Sequence, residues 1–89
     1  MRYVELDGTR MTTIQSCHEH IARSMYFPSY YGKNLDALWD MLSTIHEDTH
    51  ITLSSSVLML NALDAYGTKI LQTFYEADAE NDHITFELV

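Results

Sequence analysis

Cysteine occurs once in this chain, at Cys17, so no disulfide can form within it and no cluster of thiolates can hold a metal. A reducing compartment fits that usage. Long apolar runs are also missing: no stretch approaches the roughly 18 residues that a membrane helix requires. The opening run Met1, Arg2, Tyr3, Val4, Glu5, Leu6, Asp7 lacks the apolar core and small-residue cleavage site of a secretory signal. No membrane partner is expected, and the chain is expected to act in the cytoplasm. Basic residues are the third shortage. Five lysines and arginines stand against thirteen acids, for a formal charge of -8 and a pI near 4.7. Such a field repels phosphate, which argues against a nucleic-acid ligand and favours a basic protein partner. Acidity alone is weak evidence, since many cytosolic proteins are acidic for solubility.

The 89 residues are 46% apolar, enough for one domain with one small core. Stability should be modest, leaving little spare for a strained catalytic pocket. Tyr3, Val4 and Leu6, closed by the turn signal Asp7-Gly8, predict a strand over residues 1–6. Thr12 and Gln15 have capping-box spacing, and Ile14, Cys17, Ile21, Ala22 and Met25 then predict a helix over 13–25. Cys17 on that stripe reads as a small buried hydrophobe rather than a nucleophile. The aromatic stretch from Tyr26 to Lys33, with the chain's only proline, reads as an ordered loop.

A second helix is predicted from about Asn34 to Thr44, with Leu35, Leu38, Leu42 and Ile45 facing the core. His50-Ile51-Thr52-Leu53 alternates as a strand, and Ser54 to Ser56 offer N-caps for a short helix through Leu63. Gly67 is read as a break before a longer helix over 68–80, with Ile70, Leu71, Phe74 and Ala77 inward. A closing strand is predicted over 83–89. Strands separated by helices imply crossovers. The expected fold is therefore α/β, a small three-stranded parallel sheet with about four helices packed mainly on one face.

On the second helix, at 100° per residue, Asp36, Asp40 and Ser43 fall opposite the leucine stripe, with Trp39 at the border. Two aspartates four residues apart repel, and only Asp36 is near enough to the N-terminus for the helix dipole to help. A solvated acidic face and a half-buried tryptophan would explain these residues without a function. Beside the loop tyrosines Tyr30 and Tyr31, however, they have the composition of a binding hot spot. A rival metal or hydrolase site could draw on Asp36 and Asp40 or on His46, Asp48 and His50, but a metal needs three or four convergent ligands and a polar loop of this kind is more often solvated. His18 and His20 point to different sides of their helix, and His83 stands alone on a strand. No Ser-His-Asp or Cys-His arrangement is evident, so neither catalysis nor a cofactor nor a metal is expected.

The string Tyr30-Tyr31-Gly32-Lys33-Asn34-Leu35-Asp36-Ala37-Leu38-Trp39-Asp40 strongly resembles the central motif of the barstar family, intracellular inhibitors of barnase-type ribonucleases. Weaker similarity runs through the approach at Pro28 and the stretch from Leu71 to Ala77. The resemblance implies a helix and preceding loop that plug the active-site cleft of a basic, secreted ribonuclease, with carboxylates where RNA phosphate would lie. Carried onto this chain, the partner contacts fall on Tyr30, Gly32, Asn34, Leu35, Asp36, Trp39, Asp40, Ser43 and Glu76. It also implies a 1:1 complex with a barnase-like enzyme, a monomer when free, and a role as an immunity protein. This chain departs from the pattern at Lys33, where the family has an acid, and at Ile45, where it has an aromatic. The segment before the second strand is also one residue shorter and lacks a proline. An interaction module for some other basic protein is the alternative use of the same fold.

Overall fold

A computed structural model describes residues 1–89. The chain runs β1 (Arg2–Asp7), a 3-10 turn (Gly8–Arg10), α1 (Ile14–Met25), α2 (Leu35–Ser43), β2 (Thr49–Ser54), α3 (Ser56–Leu63), α4 (Ala65–Glu80) and β3 (Ile84–Leu88). The three strands form one parallel sheet in the order β1-β2-β3. Register aligns Val4 with Ile51 and Phe86, and Thr49 with Ile84. Because side chains alternate along a strand, Val4, Leu6, Ile51, Leu53, Ile84 and Phe86 all point inward and are buried. Tyr3, Glu5, Thr85 and Glu87 point the other way and are exposed. The helical layer therefore lies on one face of the sheet, with α1 packed on β1, α4 on β3, and α2 and α3 on α4. Both sheet edges are partly closed by helix side chains. On β1, His20 Nε2 accepts from the Asp7 N–H at 2.9 Å, and on β3, Asp78 accepts from the Phe86 N–H at 2.8 Å.

Several local expectations shift. The box at the start of α1 is formed by Thr13 and Ser16 rather than Thr12 and Gln15: each hydroxyl accepts from the other's backbone N–H at 3.0 Å. Ile14 has the right angular position for the core stripe but stands 48% exposed, because it lies in the first turn, where Thr12 to Gln15 all project into solvent. The buried stripe of α1 is Cys17, His18, Ile21 and Met25. Ser55 occupies the N-cap of α3 in a left-handed conformation and its side chain makes no capping bond.

Gly67 does not break the helices. The break falls at Asp64, with φ 51°, and Gly67 lies buried within α4. A Cβ there would stand 3.1 Å from the Met59 sulfur and 3.3 Å from the Leu60 Cα, so the glycine serves close packing of α3 on α4. Gly8 is tighter still, since a Cβ would fall 2.2 Å from the Ser55 carbonyl oxygen. That obstacle is backbone and cannot rotate away. Gly8→Ala is expected to cost about 2 kcal/mol or more in denaturant unfolding, well above Gly32→Ala, whose nearest obstacle is a methyl at 3.2 Å. Equal midpoints for the two variants would contradict this packing account.

Two histidines are held neutral. Burial pulls His18 below its ordinary 6.5. It does the same for His20, where Asp7 opposes the shift and Arg10 and Arg23 reinforce it. His20 Nε2 must also remain unprotonated to accept from Asp7. The unfolded chain therefore binds more protons than the folded one once the pH falls through 6.5. Stability is expected to be full above that value and to decline as acid is added toward the lower folded-state values. Urea midpoints at about pH 7.5 and pH 5.5, where most carboxylates are still ionised, test this; a midpoint that does not fall would overturn it.

Candidate functional site

The loop joining α1 to α2 begins at Tyr26, whose left-handed φ of 59° ends α1. Arg2 donates to the Met25 carbonyl and sits over the Tyr26 ring at 5.8 Å, placing a cation at the helix C-terminus. Past Pro28 a turn closes from the Tyr31 N–H to the Pro28 carbonyl at 3.0 Å. The loop aromatics then divide. Tyr31 is buried, packed on Phe27 with ring centres 4.9 Å apart, and its hydroxyl lies 2.7 Å from His18 Nδ1. Tyr30 points outward and is 81% exposed.

Lys33, at φ 53°, turns the chain into α2. Asn34 caps the helix: its side-chain oxygen accepts from the Ala37 N–H at 2.7 Å, and its amide donates to the Gly32 carbonyl at 3.3 Å. Leu38 and Leu42 are fully buried, and Leu35, Trp39 and Ile45 pack half-buried against the same core. On the outer side, Asp36, Asp40 and Ser43 are exposed. The Ser43 hydroxyl donates back to the Trp39 carbonyl at 2.7 Å. The charged contact is Arg10–Asp7, and the His50–Glu87 and His83–Asp48 pairs are hydrogen bonds, so none of them engages Asp36 or Asp40.

Two open hollows gather these residues. One, of about 170 Å³, is lined by Tyr30, Tyr31, Gly32, Ala37, Asp40 and Met41. The other, of about 420 Å³, lies at the far end of α2 between Trp39, Ser43 and Ile45 and, from α4 onward, Ala77, Glu80 and Asp82. Glu76 is exposed on α4 beside Ala77. Tyr30, Gly32 and Asp40 thus share one hollow and Trp39 and Ser43 the next. Leu35 is turned partly into the core, and the Asn34 side chain is committed to capping.

The rival histidine site does not assemble. His46 Nδ1 lies 3.3 Å from the Thr44 carbonyl, His50 meets Glu87 at 3.1 Å, and Asp48 meets His83 at 2.9 Å. No three His, Cys, Asp or Glu side chains converge. His83 is therefore not alone, as its strand position implied; it lies just before β3, where the sheet register brings it to Asp48. The Cys17 thiol is buried and pushed up to about 12 by desolvation, which makes it inert as a nucleophile. Two contributors carry no local sequence signal. Asn81 donates to the carbonyls of Leu42 and Ile45, both at 3.0 Å, tying the end of α2 to the end of α4. His18 joins the loop to α4, since its Nε2 lies 2.7 Å from the Tyr66 hydroxyl.

This division of roles within α2 is testable without a partner. Asn34→Ala removes a capping bond and should cost about 1 kcal/mol in thermal or chemical unfolding. Asp40→Ala should leave the melting temperature unchanged or slightly raised, because it relieves a repulsion with Asp36 worth about 0.2–0.5 kcal/mol. A clear loss of stability in Asp40→Ala would mean that the carboxylate supports the fold.

No helix is long and apolar enough to cross a membrane. A Bacillus subtilis (strain 168) protein named putative ribonuclease inhibitor YrdF is 32% identical over 81 residues, spanning 90% of this chain and 89% of that protein. The family model described as barstar (barnase inhibitor) matches residues 1–89. With that match over the whole length and the Tyr30–Asp40 motif presented on α2 and the loop before it, the chain belongs to the barstar family.

Proposed function

We propose that this protein inhibits a basic, secreted, barnase-like ribonuclease by seating α2 and the loop before it in the enzyme's RNA-binding cleft, as a 1:1 complex. The observation that carries this reading is the outward pair Asp36 and Asp40, next to exposed Tyr30, with no cation of the chain placed against it. Family membership and the name of the YrdF relative support a ribonuclease as the target. Inhibition needs no bond-making here. A carboxylate held on a helix can accept from the arginines and lysines that would otherwise hold phosphate, while Trp39 and Tyr30 supply flat apolar area beside it. The inhibitor would act in the cytoplasm as an immunity protein, neutralising the enzyme before it reaches cellular RNA. Tyr30, Gly32, Asp36, Trp39, Asp40 and Ser43 form the contact surface, flanked by Asn34, Leu35 and Glu76.

Asp40 should dominate. It lies one turn further from the helix N-terminus than Asp36, so the domain's own dipole supports it least, and a partner cation would supply what the fold does not. Asp40→Ala is expected to weaken inhibition of barnase by on the order of 3 kcal/mol, since it strands desolvated cations in the cleft. Rising ionic strength should slow association more than it speeds dissociation. Stopped-flow rates and calorimetric affinities measure both. A loss below about 1 kcal/mol, or association rates flat with salt, would remove the acidic helix from the mechanism.

A further inference from the structure

His18 is fully buried, and each of its ring nitrogens meets a tyrosine hydroxyl at 2.7 Å: Nδ1 meets Tyr31 of the recognition loop and Nε2 meets Tyr66 of α4. Nothing about covering the sheet requires a histidine here. The rest of the buried stripe of α1 is Cys17, Ile21 and Met25, and an apolar residue would fill the place. What an apolar residue could not do is hold a hydroxyl. Tyr31 lies between exposed Tyr30 and exposed Gly32, and of residues 26–34 it alone is buried. Fixing the Tyr31 ring against Phe27 and His18 therefore fixes the outward aim of Tyr30 and the path into the Asn34 cap.

We propose that His18 is a positioning residue of the inhibitory surface: through Tyr31 it holds residues 29–34 in the conformation that presents Tyr30 and Gly32 to the ribonuclease. The inference rests on the reading of that surface as the inhibitory one. The two arms are not equivalent in this role. The bond to Tyr31 orients the loop, while the bond to Tyr66 orients the imidazole. A neutral imidazole donates through one nitrogen and accepts through the other, so one tyrosine donates and the other accepts. A second proton on the ring makes both nitrogens donors, and the tyrosine that donated loses its acceptor. The titratable groups facing the ring are Tyr31 and Tyr66, with Cys17 beside it on α1. Burial raises all three above their ordinary values, so none can supply a compensating negative charge.

The arms can be cut separately. Tyr31→Phe removes one hydroxyl and Tyr66→Phe the other, each leaving its ring in place. Two measurements follow on each variant and on the parent: hydrogen exchange of the amides of residues 29–34, and the inhibition constant against barnase. Tyr31→Phe is expected to speed exchange in the loop and to weaken inhibition by about tenfold, the loss of one buried hydrogen bond. Tyr66→Phe is expected to lower the melting temperature comparably and to change both loop readouts less than about twofold. His18→Asn, whose amide can reach where Nδ1 lies, should keep more inhibition than His18→Gln, whose amide reaches where Nε2 lies. In the parent, the protection factors of the loop amides, which are exchange rates corrected for their intrinsic pH dependence, should also fall in mild acid, and Tyr31→Phe should reduce that fall. Equal effects from Tyr31→Phe and Tyr66→Phe, or none on the loop from either, would overturn the proposal and leave His18 as core packing. If the parent fails to inhibit barnase but the exchange pattern holds, the target assignment falls and the anchor stands.

Discussion

Six inward side chains of the sheet, Val4, Leu6, Ile51, Leu53, Ile84 and Phe86, must be covered from one side only, because Tyr3, Glu5, Thr85 and Glu87 keep the opposite face in water. Parallel sheets are usually buried on both faces, so this small domain concentrates its helices in a single layer. Each helix can bury only one stripe. The outward side of α2 is thus released from any packing duty by the same constraint that fixes its inward side. Leu38 and Leu42 anchor the helix at zero exposure, and Asp36, Asp40 and Ser43 stand free above them. The proposed recognition surface is what a one-layer fold leaves over.

That surface is stiff where it is acidic. Asn34 closes the start of α2, and Asn81 reaches from the end of α4 to the Leu42 carbonyl in the last turn of α2 and the Ile45 carbonyl just past it, so both ends are held by side-chain amides. A helix fixed at both ends loses little freedom when a partner docks, and preorganisation of this kind converts contact into affinity. The loop is different in character. It carries two non-glycine residues at positive φ, Tyr26 and Lys33, and each sits at a junction with a helix. Such conformations persist only where their surroundings enforce them. Around this loop the enforcing contacts are Arg2 at Met25, Phe27 against Tyr31, and His18 beneath Tyr31.

Much of this was legible because it depends on period and on local reach. The alternation in His50–Leu53 and the leucine spacing in α2 follow directly from strand and helix geometry, and the Tyr30–Asp40 string carried the family with it. Errors came where a residue's role depends on what approaches from elsewhere in the chain. Gly67 looks like a breaker in sequence, but Met59 and Leu60 of α3 approach too closely for any larger side chain. Ile14 matches the stripe in angle and fails in depth, because the first turn of α1 overhangs the core. Thr12 and Thr13 both offer a capping hydroxyl, and one residue of offset selects between them. His83 and Asp48 are 35 positions apart and meet only through strand register.

His18 is the sharpest case of information that spacing cannot carry. From the sequence it is one polar residue on an apolar helix, and solvent would be its natural destination. In the fold it is the only place where α1, the loop before α2 and α4 meet through side-chain hydrogen bonds, and both of its nitrogens are satisfied. A buried polar group with complete partners specifies one arrangement more strongly than an apolar contact, because any alternative leaves a donor or acceptor stranded. The core beneath the loop therefore does more than add apolar area: it distinguishes one loop conformation from its neighbours. Acid charge on α2 can attract a basic enzyme from many orientations, but the choice of Tyr30 outward and Tyr31 inward is made at His18, one layer below the surface the partner would touch.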